Sequence, residues 1–204
     1  MVTSSRDPVR TRERILRAAR REFVAKGFAG ARVDAIARTA SVNKRMLYHY
    51  FGDKEGLYRA TLHEGIVTNL DLVAAAPADP ADLLPFLLER ASKRVDRVRL
   101  LQWEALSIGD RKPIAEEERR KAWVEGTERI RDAQRAGLLH RDLDAEYLVL
   151  AIMALTIFPQ AFPQLVRMVT GARPSDAEFQ QRQARFLRRL GTCLSPSATK
   201  EKSR

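Results

Sequence analysis

Apolar residues recur along this chain every three or four positions almost from end to end, and no stretch alternates strictly, so the pattern predicts helices and no sheet. Ile15, Ala18, Ala19, Phe23 and Val24 make one inward face, which Lys26-Gly27 ends and Phe28 turns back into a small core. Asp7-Pro8 offers a cap followed by proline at the first helical position, and Thr11 is an alternative start. Val33, Ile36, Ala37 and Ala40 stand at i, i+3, i+4 and i+7 of a second helix, with Asp34, Arg38 and Thr39 outside. Ser41 and Val42 connect it to a third helix, which Asn43 is placed to cap and in which Leu47 and Phe51 point inward. Asp53 caps a fourth, whose Leu57, Thr61, Leu62, Ile66 and Leu70 carry the pattern to about residue 74.

The two prolines of AAPADPAD, residues 75–82, break the periodicity and mark a loop. Leu83 to about Val95 reads as one amphipathic helix with Phe86 and Leu87, and Asp96 to Ile108 as another with Val98, Leu101, Trp103 and Leu106. After GDRKP a long polar helix runs from Pro113 to Ala136, stopped by Gly137. Asp144 caps AEYLVLAIMALTIF, apolar all round and so expected to be buried on several sides, with Pro159 and Pro163 breaking or kinking it. Ser175 and Glu178 form a capping box for a last helix to about Leu194. The expected architecture is all-α. Residues 1–54 form a three-helix helix-turn-helix domain, 55–194 a second helical domain, and 195–204 a disordered tail.

Chemistry concentrates on the third helix. With Leu47 and Phe51 inside, Asn43, Lys44, Arg45, Tyr48 and His49 are left on the outward face. A helix fits a major groove about 12 Å wide, where Arg or Lys donates to the acceptor edge of guanine and Tyr or His reaches phosphate oxygens. Lys44 and Arg45 are assigned to base edges, Tyr48, His49 and Tyr50 to phosphates or the groove rim, and Lys54 to a phosphate. Tyr48 and Tyr50 have a second reading as cover for the small core, the stronger for Tyr50.

Charge supports a polyanionic partner. Residues 1–60 hold 14 Lys/Arg against 6 Asp/Glu, most of the chain's net +11. The excess of Arg over Lys, 29 to 8, leaves a plainer reading as coding bias on a solvated surface. The same two readings stay open for Arg6, Arg10, Arg12 and Arg14 near the start, which either follow phosphates or solubilise an end. Cys193 stands alone, and His49, His63 and His140 show no paired ligand spacing, so no disulfide, metal or cofactor is expected. The longest apolar run, Leu148 to Phe158, is well short of the roughly 20 residues of a membrane span, and Met1 to Arg14 lacks a signal peptide's apolar core. A cytoplasmic location follows as the expectation. No glycine-rich phosphate cradle or nucleophile elbow points to an enzyme.

TRERILRAARREFVAKGF followed by VDAIARTASVNKRMLYHYFGDKEGL resembles the DNA-binding domain of the TetR family of bacterial transcriptional regulators, over about residues 11 to 60. Ala18, Ala19, Phe23, Gly27, Phe28, Ile36-Ala37, Ala40, Leu47-Tyr48, Tyr50-Phe51, Lys54-Glu55 and Leu57 fall at the family's spacing. Ser41 departs from its turn glycine, and Arg32 from a helix-capping Thr, adding a cation where the family touches phosphate. The resemblance implies a ligand-responsive repressor acting as a homodimer on a palindromic operator in double-stranded DNA. Two readers on a dimer reach major-groove faces about 34 to 36 Å apart. It also implies that the last two long helices pair between subunits, through Tyr147, Leu148, Ile152, Phe179, Phe186, Leu187 and Leu190, with completion of the protomer's own core as the alternative reading of both stripes. A cavity in the second domain is implied for a small apolar or aromatic effector. Its candidate lining is Trp103, Glu104, Trp123, Met153, Phe158 and Phe162, although an aromatic at helical spacing is by default core. Control by a protein partner is the alternative.

Overall fold

A computed structural model describes residues 7–63 and 76–196. The arm at 1–6, the continuation of the fourth helix through Ile66 and Leu70, and most of the tail lie outside these residues. All elements among the described residues are helices. They are α1 (Pro8–Gly30), α2 (Val33–Thr39), α3 (Lys44–Phe51) and α4, described over 54–63. α5 (Pro80–Ser92), α6 (Val95–Ile108), α7 (Glu116–Arg135), α8 (Ala145–Ala161), α9 (Pro163–Thr170) and α10 (Ala177–Leu194) follow.

The chain divides into two compact units. The first takes the described residues to 63 together with 99–119, so it includes α4 and most of α6 and does not end at the expected 54/55 boundary. Ile15, Ala19, Phe23, Ile36, Leu47, Leu57 and Tyr58 make its core, with Leu100 of α6 among them. Phe23, Phe28 and Tyr58 form an aromatic triad, the Tyr58 ring edge-on to Phe23 at 4.8 Å. Asp7 caps α1 by accepting from the N–H groups of Val9 and Arg10. Gly27 breaks α1 with φ 68°, and there the Trp103 ring lies about 3.0 Å from where a Cβ would stand, while its indole N–H donates to Val24 O at 3.1 Å. On α6 the inward residues are Val98 and Leu100. Leu106, expected on the buried side, is 82% exposed.

The second unit packs α5, α8 and α10 around Leu84, Leu88, Leu148, Ile152 and Leu187, joined by Ile130 and Leu139. Gly191 lets α10 approach closely, since a Cβ there would meet the Pro80 carbonyl at 2.3 Å. Several boundaries differ from those the sequence suggested. α5 opens at Pro80, not Leu83, because Asp79 caps it and proline suits the first position of a helix. α7 opens at Glu116, not Pro113; Ala115 sits before it in the left-handed region. The capping box at Ser175 does not form. Asp176 is the N-cap, without a side-chain cap bond, and its carboxylate accepts from Arg173 N–H.

α8 is capped by Asp144 as expected, Tyr147 N–H donating to Oδ1 at 3.0 Å. It is not buried on several sides. Only Ala145, Leu148, Ile152, Thr156 and Pro159 are buried, while Tyr147, Leu150 and Phe158 are exposed. Nor does Pro159 end it; the helix runs on to Ala161, and the break falls before Pro163, where α9 leaves at 89°. A proline at 159 removes the helical partner of the Leu155 carbonyl, and Gln183 Nε2 of α10 donates to that oxygen instead, at 3.3 Å. No single helix among the described residues is long and apolar enough to cross a membrane.

Candidate nucleic-acid interface

α3 is eight residues long and would be marginal alone. Three things fix it. Asn43 Oδ1 accepts from Met46 N–H at 2.7 Å, Leu47 is wholly buried, and Phe51 packs on the same core. Ser41 makes the tight turn before it in the left-handed region, φ 53°, so serine does here what glycine does at less cost. The result is a rigidly held helix whose Asn43, Lys44, Arg45, Tyr48 and His49 are exposed.

Each assigned residue has a definite setting. Tyr50 is half-buried against the core, edge-on to His49 at 5.7 Å, in its second reading as cover. Lys44 pairs with Asp34 of α2, Nζ to Oδ1 3.0 Å, and that hydrogen bond raises the ammonium's pKa. Lys54 donates to the Ala29 carbonyl at 3.2 Å and lies over the Phe28 ring, fastening α4 to the exit of α1. Arg32 is exposed at the start of α2 and contributes no side-chain cap. Glu22 of α1 supplies one, accepting from Arg32 N–H at 3.2 Å while paired with Lys26. The hydrogen bond from Lys26, followed by that from the Arg32 backbone, holds the Glu22 carboxyl below the usual range against the opposing effect of burial.

Sequence reasoning did not find Asp34, Glu22 or the concavity at the head of α3. A cavity of about 330 Å³ there is lined by Arg14, Ser41, Val42, Asn43 and Met46. It joins a cation of α1 to the cap of α3, a setting suited to a phosphate oxygen.

The candidate effector residues fall in both units. Trp103 and Glu104 belong to the first. Trp103 is fastened over Gly27, and Glu104 is paired with Arg119 at 2.7 Å, so both already hold structural partners. Trp123, Met153, Phe158 and Phe162 belong to the second, where the Phe158 and Phe162 rings lie 5.1 Å apart and both are partly exposed. Of the residues expected between subunits, Leu148, Ile152 and Leu187 are core of the protomer instead, Leu187 only 1% exposed, because α8 and α10 turn these toward α5. Phe179 is half-buried, and Leu190 packs on the same core. Tyr147 at 74% and Phe186 at 60% face outward. No group of acidic, His and Cys side chains among the described residues is placed to hold a metal ion.

Comparison with known proteins bears on both units. Residues 15–61 match the model for bacterial regulatory proteins of the tetR family, and residues 79–189 that of a tetracyclin repressor-like C-terminal domain. The HTH-type transcriptional repressor SCO4008 of Streptomyces coelicolor is 33% identical over 171 residues, covering 82% of this chain and 88% of the relative. The HTH-type transcriptional regulator UidR of Escherichia coli is 28% identical over 156 residues, with 72% and 78% covered. Among solved structures, a candidate transcriptional regulator of S. coelicolor, SCO4942, superposes with a TM-score of 0.72 at 28% identity, over 88% of this chain and 97% of that one.

Proposed function

The chain belongs to the TetR family of bacterial regulators and is a DNA-binding transcriptional repressor of that type, and from this premise we propose that it acts as a cytoplasmic homodimer on a palindromic operator, released by a small apolar or aromatic effector. The observation that carries the proposal is the outward face of α3, with Asn43, Lys44, Arg45, Tyr48 and His49 exposed on a helix that its cap and Leu47 hold rigid. Lys44 and Arg45 read base edges. Tyr48, His49 and Arg32 lie against phosphates or the groove rim, while Tyr50 and Lys54 support the interface by holding the core beneath it. One such face makes few base contacts, and two on a symmetric dimer supply the rest.

The dimer uses the outer side of α8 and α10, where Tyr147, Leu150 and Phe186 leave apolar surface uncovered in the single chain. Reading belongs to the first unit, sensing and pairing to the second. The effector is met by Trp123, Met153, Phe158 and Phe162, and it releases DNA only if it binds one conformation of the repressor better than the other.

Selection from a pool of genomic fragments at near-physiological salt tests the proposal. Recovery of one short palindrome is the expected result; retention without sequence preference, vanishing as salt rises, would leave only phosphate binding. On the recovered site Arg45→Ala is expected to cost about 1 to 3 kcal/mol and to relax the choice of base. Equal loss on operator and random duplex would remove Arg45 from base reading. Quenching of tryptophan fluorescence by apolar compounds, together with release of the operator, would identify the effector class.

A further inference from the structure

The Lys44–Asp34 pair places a carboxylate on the face proposed to meet DNA. Lys44 opens α3, where the positive end of the helix dipole disfavours a cation, and Asp34 lies in the first turn of α2. Both side chains are largely exposed, so the pair adds little to folding. A carboxylate on a face that meets a polyanion weakens attraction to every phosphate and partly neutralises the cation beside it. Such a group lowers affinity for DNA of any sequence.

The gain is in discrimination. An ammonium has three N–H donors, and Asp34 takes one of them, which fixes where the others point. A phosphate that approaches Lys44 comes within a few ångström of the Asp34 charge. A neutral acceptor, such as O6 or N7 of guanine, carries no such penalty and can accept while the pair stays intact.

We propose that Asp34 is a specificity-determining residue of the DNA interface, a positioning residue that holds Lys44 away from the phosphate backbone and presents it to a neutral base-edge acceptor. The proposal rests on α3 as the reader helix. It assigns to α2 a part in sequence choice through a side chain that itself touches no base.

The test compares full-length wild type with Asp34→Asn, which keeps the side chain's shape and removes its charge. Dissociation constants are measured on the selected operator and on a random duplex across a salt series. Asp34→Asn is expected to tighten random DNA about 3- to 10-fold, to change the operator less, and to steepen the salt dependence on random DNA by about one counterion, a slope change of about 0.9. In a Lys44→Ala background the same substitution should lose most of that slope change. An equal effect with or without Lys44 would mean that Asp34 acts only as a surface charge and would overturn the proposal. Equal weakening on both DNAs with a lower melting temperature would make the pair a structural tie, which also overturns it. Failure of the wild type to prefer any site would be a failure of the reader assignment itself, and is seen before any variant is made.

Discussion

Ser41 holds a backbone conformation that L-residues adopt at a cost of roughly 1 to 2 kcal/mol, and it does so at the turn that leads into α3. Ser41→Gly is therefore expected to stabilise the chain by about 1 kcal/mol, less whatever the freer unfolded chain takes back, as urea unfolding would measure. No gain would mean that the serine side chain compensates for the strain. Tyr58 gives a second prediction at this scale. Burial in the aromatic triad, and then the Glu104 carboxylate, push its phenol up to about 12, with Arg119 opposing. The folded state thus holds the Tyr58 proton more tightly than the unfolded state, where the phenol titrates near 10. Its contribution is complete below pH 10 and is lost as pH rises from 10 toward 12. Stability should fall across that window, and Tyr58→Phe should flatten the fall; an unchanged profile would place the loss on other groups.

Among elements, α8 shows how a rule-breaking residue is accommodated. Pro159 frees the Leu155 carbonyl, and Gln183 occupies it from α10. Gln183→Leu should leave that oxygen unpaired and cost about 1 to 3 kcal/mol, read as a lower urea midpoint. Gln183 Oε1 is itself buried without a hydrogen-bond partner, so a neutral result would mean that removing it offsets the lost bond. The same example marks what could be read from the sequence. Asp7, Asn43, Asp53 and Asp144 were legible as caps because a cap and its N–H groups lie within three residues of each other. Gln183 on Leu155, Glu22 on Arg32, Lys54 on Ala29 and Asp34 on Lys44 are between 10 and 28 residues apart, and no local pattern announces them. The outward face of α3 was legible for the same local reason, since burying Leu47 decides where its neighbours point. The capping box at Ser175 failed because Asp176, one residue on, took the cap position. The apolar run of α8 suggested burial all round because a run of apolar residues does not say which of them face the protomer's own core.

At the scale of the whole molecule, that uncovered side is an apolar surface left open among the described residues. Tyr147, Leu150 and Phe186 are exposed in the single chain, and a second copy is the occupant that the proposed operator symmetry calls for. Phe186→Asp should shift the protein to monomers in sedimentation while leaving its helical content intact, and operator affinity should fall with dimer population. A variant that stays dimeric would move the interface elsewhere. The composition of the first compact unit has a different consequence. Residues 99–119 lie in it beside the helix-turn-helix, with Trp103 over Gly27, Leu100 in the core and Glu104 near Tyr58. The proposed DNA reader is therefore not a detachable module. A chimera that grafts residues 1–63 onto a foreign sensor would strip the indole from the α1 break and open the core at Leu100. A working transplant has to carry the 99–119 strap along with it, or borrow an equivalent one from its host.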